Sequence, residues 1–208
     1  MTQDEIDEIL KQHELWLRGN GGKRADLHDA DLLYAVLRDA DLARSNLFGA
    51  NLRYADLTEA NLAGANLADA VLVGANLADA NLTGANLIEA NLSRAKLIGA
   101  NLTGAYLPAP TMVLLARWGE CSDKTTVALM RLDASAHPEG PKAFDRWVES
   151  GECPYDDCQV QRVVNFKESR KLWAEHGWRN PPSLWRCMAM VLDEHCPGWR
   201  NDGDGGAR

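Results

Sequence analysis

The sequence predicts a β-solenoid joined to a small helical domain, and three observations predict it. Leucine recurs every five residues without a gap from Leu27 to Leu107. A small residue stands two positions before each leucine, alanine in every case but Ser45. Asp or Asn immediately precedes the leucine except at Val36, Val71, Lys96 and Tyr106, so the flank of the leucine is polar almost throughout. A period of five fits neither the 3.6 of an α-helix nor the 2 of a flat strand. Self-similarity at a fixed period marks a solenoid, whose units bury their apolar face only against one another. One fixed large and one fixed small residue per unit imply a narrow interior.

The run Ala60-Asn61-Leu62-Ala63-Gly64-Ala65-Asn66-Leu67 resembles the pentapeptide repeat family. The resemblance implies a right-handed quadrilateral β-helix with one pentapeptide per side and twenty residues per coil. It places the leucine and the alanine two before it inward, and the other three positions outward. Seventeen units make a little over four coils, roughly 20 Å long at the ~4.8 Å spacing of stacked strands.

Residues 1–22 are expected to cap this solenoid. Residues 2–18 read as one amphipathic helix. Thr2 and Glu5 have the spacing of a capping box, and Ile6, Ile9, Leu10, His13, Trp16 and Leu17 share one face. Asn20-Gly21-Gly22 ends it, because glycine supplies the conformations a helix stop needs. An open first coil would leave its leucines and its backbone edge in water. The helix is therefore expected to be a lid, with Trp16 and Leu17 against the first coil. Its acid-rich polar face argues against membrane attachment.

In the repeats, residues 23–109, outward positions twenty apart should stack into columns. One face then carries Asp39, Glu59 and Asp79, with Asp56 close by, and another carries Asp29, Asp69 and Glu89, interrupted by Gly49. A third shows Leu33, Tyr34, Arg53, Tyr54, Val71 and Val73 and is the most apolar outer surface. The fourth is bland, with Ala43, Ala63, Thr83 and Thr103 beside Gly64, Gly84 and Gly104.

Pro108 and Pro110 stop the repeat, since proline cannot donate to a strand ladder. Thr111 to Trp118 is expected to be a closing strand or a short helix. Residues 110–200 form a Trp-rich, mainly helical domain, with helices expected from Ser122 to about Ser135, Pro141 to Val148, Phe166 to His176 and Ser183 to Glu194. Residues 201–208 are a Gly-rich tail expected to be disordered. Cys153, Cys158, Cys187, His195 and Cys196 are the inventory from which a zinc site would be drawn, but their spacing fits such a site poorly, and Cys187 reads more simply as core. No metal and no cofactor are expected. Arg162, Lys167, Arg170 and Lys171 read as a solvated basic helix face.

The net charge of −8 argues against direct nucleic-acid binding. No apolar run reaches membrane-spanning length and no signal peptide is visible. Five cysteines, an odd number, suggest free thiols in a reducing compartment, so the expected location is the cytoplasm. No phosphate loop or nucleophile motif appears, and no enzyme is expected. The sequence points to a non-enzymatic scaffold whose partner is another protein, docked on the Leu33/Tyr34/Tyr54 surface. The resemblance implies one alternative. Quinolone-resistance and topoisomerase-inhibiting relatives mimic duplex DNA and bind gyrase, and the two acidic columns would play the phosphates. A second alternative is ligand or metal binding by the C-terminal domain.

Overall fold

In the computed structural model, residues 1–109, 113, 116–118, 121–136, 183–196 and 199 are described. The chain divides into two units, Met1–Trp118 with His195–Arg208, and Gly119–Glu194.

The first unit is built on the five-residue repeat. Each leucine from Leu27 to Leu102 is followed by a β-turn in which the N–H three residues on, alanine except at Ser45, donates back to the leucine carbonyl, as Ala60 does to Leu57 at 3.1 Å. The second residue after each leucine takes positive φ, which glycine adopts freely and other residues at a cost. Gly64 and Gly84 occupy such corners, but ten non-glycine residues from Asp29 to Arg94 do so as well, with φ between 52° and 61°. A turn every five residues, four to a coil, brings residue n alongside n+20. Parallel bridges run accordingly from Asp26↔Asn46 through Asn86↔Tyr106. Within the stack, Leu62 N donates to Asn81 O at 2.7 Å, Gly64 N to Thr83 O at 2.8 Å, and Asn81 N back to Ala60 O at 2.9 Å.

The core is narrow because it holds only two side chains per unit. Leu27 to Leu102 are buried at every repeat, as are the alanines from Ala50 to Ala100. Outside them the Asp/Asn positions form amide ladders up the stack. Asn46 Nδ2 donates to Asp26 Oδ1 at 2.7 Å, Asn51 to Asp31 at 2.8 Å and Asn61 to Asp41 at 2.9 Å. Asn66 and Asn86 continue the first series and Asn81 the third, while Val71 interrupts the second. An amide both donates and accepts, so it suits any middle rung. The bottom rung of each ladder only accepts, which explains aspartate there.

The lid is α1, Gln3–Leu17, with Thr2 as N-cap and the Thr2/Glu5 capping box formed. Its deepest residues are Ile6 and His13, while Trp16 and Leu17 are half-buried. The helix does more than cover leucines, because its polar groups pair with the first coil's orphan backbone. The Gln3 side-chain amide donates to Val36 O at 3.0 Å and accepts from Val36 N at 3.2 Å. His13 Nδ1 accepts from Ala25 N and its Nε2 lies 3.0 Å from Ala43 O. The terminal amino group of Met1 donates to Asp31 O.

At the other end the stacking continues with a spacing of 21 rather than 20 residues, Lys96 pairing with Arg117. Arg117 bridges Lys96, donating to Ala95 O and accepting from Leu97 N. Ala116-Arg117-Trp118 thus stacks on Ala95-Lys96-Leu97, with Trp118 buried in the leucine position. Thr111 and Met112 lie outside the described residues. Trp118 Nε1 donates to Val113 O at 2.8 Å, and the His195 ring lies 6.3 Å from that of Trp118.

In the second unit two helices are described, α2, Asp123–Ala136, and α3, Leu184–His195, whose last residue falls in the first unit. Met130 on α2 and Cys187, Met188, Val191 and Leu192 on α3 are buried. Glu194 reaches the start of α2: Ser122 N donates to Oε2 at 2.8 Å, and the Ser122 and Thr125 hydroxyls donate to Oε1. The helices expected at 141–148 and 166–176, the basic cluster Arg162 to Lys171 and the tail 201–208 lie outside the described residues. Among the described residues, no helix is long and apolar enough to cross a membrane.

Candidate interaction faces

The corner positions carry the side chains that stand furthest from the core, and the twenty-residue coil sorts them into four columns. Leu33, Tyr34, Arg53 and Tyr54 are all exposed on one corner, while Val71 and Val73 on the same side are half-buried. Tyr34 and Tyr54 stack with ring centroids 5.3 Å apart and planes 15° off parallel. They remain 67% and 50% exposed, so the ring pair is an open platform. Tyr54 in turn lies over Gly74, where an added Cβ would meet its Cε1 at 2.6 Å. Glycine at 74 therefore makes room for the ring.

Asp39, Glu59 and Asp79 form an uninterrupted exposed column on the next corner. Arg38 runs into it, 3.5 Å from Asp56 Oδ2 and 3.9 Å from Glu59 Oε1. The Thr58 hydroxyl, then the Thr58 N–H and Arg38, hold the Asp56 carboxyl below its ordinary value against the opposing effect of burial. On the corner opposite, Asp29, Asp69 and Glu89 are exposed, and the Asp29 carboxylate folds over Gly49. The aspartates at the ladder feet behave differently. Asp26 accepts from Asn46 and faces His28, which lowers its carboxyl, so it belongs to the scaffold.

Of the cysteines and histidine considered for zinc, Cys187 is buried with its Sγ 3.9 Å from Ala128 O. Cys196 is buried with its Sγ 3.3 Å from Ala100 O, and burial pushes its thiol up to about 11, the opposite of what a thiolate ligand needs. Cys153 and Cys158 lie outside the described residues. The polar closure of the first coil by Gln3 and His13 escaped sequence reasoning, which read His13 only as part of an apolar face. The ladder feet left a trace, since aspartate gives way to asparagine after the first coil in three of the four columns.

The family model for pentapeptide repeats matches residues 23–53, 45–84 and 75–108, in eight copies. Rfr23, a pentapeptide repeat protein from the cyanobacterium Cyanothece 51142, is 38% identical over 48% of this chain and 68% of its own, with a TM-score of 0.43. The chain belongs to the pentapeptide repeat family. A second member, alr5209 from Nostoc Pcc 7120, is 34% identical over 52% of this chain and 93% of its own, with a TM-score of 0.41. QnrB1, a plasmid-mediated fluoroquinolone resistance protein, matches at 18% identity over 53% of this chain and 62% of its own, with a TM-score of 0.40. Among curated proteins there is no match. Family members form right-handed quadrilateral β-helices, and the stacking of twenty-residue coils here accords with that fold.

Proposed function

We propose that this pentapeptide repeat protein is a non-enzymatic, cytoplasmic scaffold that docks another protein on the tyrosine corner of its solenoid. The observation that carries this reading is the Tyr34–Tyr54 pair, stacked and exposed at φ 58° and 56°. A non-glycine residue in this region costs about 1 kcal/mol or more relative to glycine. At the bland corner Gly64 and Gly84 meet the same turn without that cost, while Arg44 in the same column bears it. Eight other non-glycine corners take the same positive φ, so the exposed, stacked rings rather than the backbone carry the reading, and tyrosine is enriched where proteins meet.

The test is site-specific crosslinking. Benzoylphenylalanine replaces Tyr34 in one version of the protein and Thr83, on the bland corner, in another, and both are irradiated in cells. A discrete protein adduct at position 34 and none at 83 is expected. No adduct at 34, or equal adducts at both, would remove the reading.

A second reading is modulation of a type II topoisomerase by DNA mimicry. It is favoured by the column of exposed carboxylates at Asp39, Glu59 and Asp79, one per coil.

A further inference from the structure

We propose that the partner of the tyrosine corner is a second copy of this chain, presented through its Phe48/Asp69/Ile88/Glu89 corner. This rests on the reading of the tyrosine corner as an interface, and it follows from what each corner displays. The first offers the Tyr34–Tyr54 platform and exposed Leu33, with the Arg53 guanidinium beside them. Arg53 donates to Asn51 Oδ1 at 3.0 Å and leaves further N–H groups to offer.

The adjacent corner offers the complement. Phe48 is 40% and Ile88 47% exposed, and between and beside them stand the exposed carboxylates of Asp69 and Glu89. Asp29, folded over Gly49, is turned along the stack. One corner is thus aromatic with a cation, and the other apolar with anions. The Asp39 corner also carries an exposed apolar residue, Ile98, but its acidic column is crossed by Arg38. Both corners share the coil spacing of ~4.8 Å, so the tyrosines one coil apart match the spacing of Asp69 and Glu89, also one coil apart.

The two patches lie on adjacent corners, so a tyrosine corner meets an acidic corner in every contact, whether two copies pair isologously or run head to tail. Four coils give a contact roughly 20 Å long. That is short beside interfaces burying about 800 Å² per partner. The association is therefore weak, concentration-dependent and weakened by salt, which screens the Arg53–carboxylate attraction.

The experiment is sedimentation of the full chain at low ionic strength, with two variants. The first, Tyr34→Ala/Arg53→Ala/Tyr54→Ala, disables one corner, and the second, Phe48→Ala/Asp69→Ala/Glu89→Ala, disables the other. Circular dichroism of each confirms that the coils are formed. The wild type is expected to grow heavier than its 22.9 kDa monomer with concentration and to return to it in high salt. Each variant alone is expected to stay monomeric. Mixed, they should form a species of twice the monomer mass, because each keeps the corner the other lacks. A monomeric wild type at every concentration, or a mixture that stays monomeric, would overturn the proposal. If crosslinks from position 34 reach only other proteins, self-association is overturned while the interface reading stands. If position 34 yields no crosslink at all, both are lost.

Discussion

At the scale of single residues, this protein is a repeated answer to one steric question, and the deviations are where the physics shows. The position two before leucine is alanine in every unit except one, and that one is Ser45. Its side chain is fully buried, and its hydroxyl has no hydrogen-bond partner among the described residues. A buried polar group without a partner costs about 1–3 kcal/mol, and the cavity already fits alanine, as Ala65 and Ala85 above it demonstrate by complete burial. Ser45→Ala is therefore expected to stabilise the solenoid by about 1 kcal/mol, read as a higher midpoint in urea with an unchanged slope. A lower midpoint would mean the hydroxyl is satisfied. Ala65 and Leu67 were legible because burial and repetition coincide there. The value of the corner side chains was not, since positive φ at Tyr34 or Glu59 is a property of the turn and leaves no mark in composition.

At the scale of elements, the informative object is the lid. Amphipathicity and the capping box announced α1, but the polar half of its work was hidden, because pairing Gln3 with Val36 or His13 with Ala25 and Ala43 requires the coil to exist first. His13 does this only as a neutral ring: Nδ1 must accept from Ala25 N–H while Nε2–H donates to Ala43 O. Burial pushes its imidazole below the ordinary 6.5, against the opposing pull of the Ala43 carbonyl and Asp41, with Arg24 adding to the depression. The folded state therefore binds a proton less readily than the unfolded chain. His13's contribution is in full force above the unfolded value of 6.5 and is lost as the pH falls through the lower folded value. The melting temperature is expected to drop more steeply on acidification from pH 7 to about 5 in the wild type than in His13→Ala. That variant should also start lower at pH 7 by about 2 kcal/mol, having orphaned two backbone groups. Parallel pH profiles would show that the ring is not the titrating element. The second clamp between elements, Glu194 on the Ser122 and Thr125 groups at the start of α2, was invisible for the same reason, since it joins residues about seventy apart.

At the scale of the whole solenoid the question is what its charge can do. Duplex DNA carries one negative charge per ~1.7 Å of axis, or about 12 over a length of roughly 20 Å. Residues 23–107 hold ten acidic side chains against seven basic ones, a net of three negative charges on a rod of that length. The acids are also divided. Asp29, Asp69 and Glu89 lie half a coil, ten residues, from Asp39, Glu59 and Asp79, hence on opposite corners. Asp26, Asp31 and Asp41 are held in the amide ladders, and Asp56 and Glu59 share Arg38. A field this weak steers a DNA-binding enzyme poorly. The purified protein is therefore expected to leave gyrase supercoiling unchanged even in excess, and Asp39→Lys/Glu59→Lys/Asp79→Lys should behave the same. Inhibition by the wild type that disappears in the triple variant would reverse the order of the two functional readings. It would mean that three carboxylates aligned on one corner outweigh the small net charge of the rod.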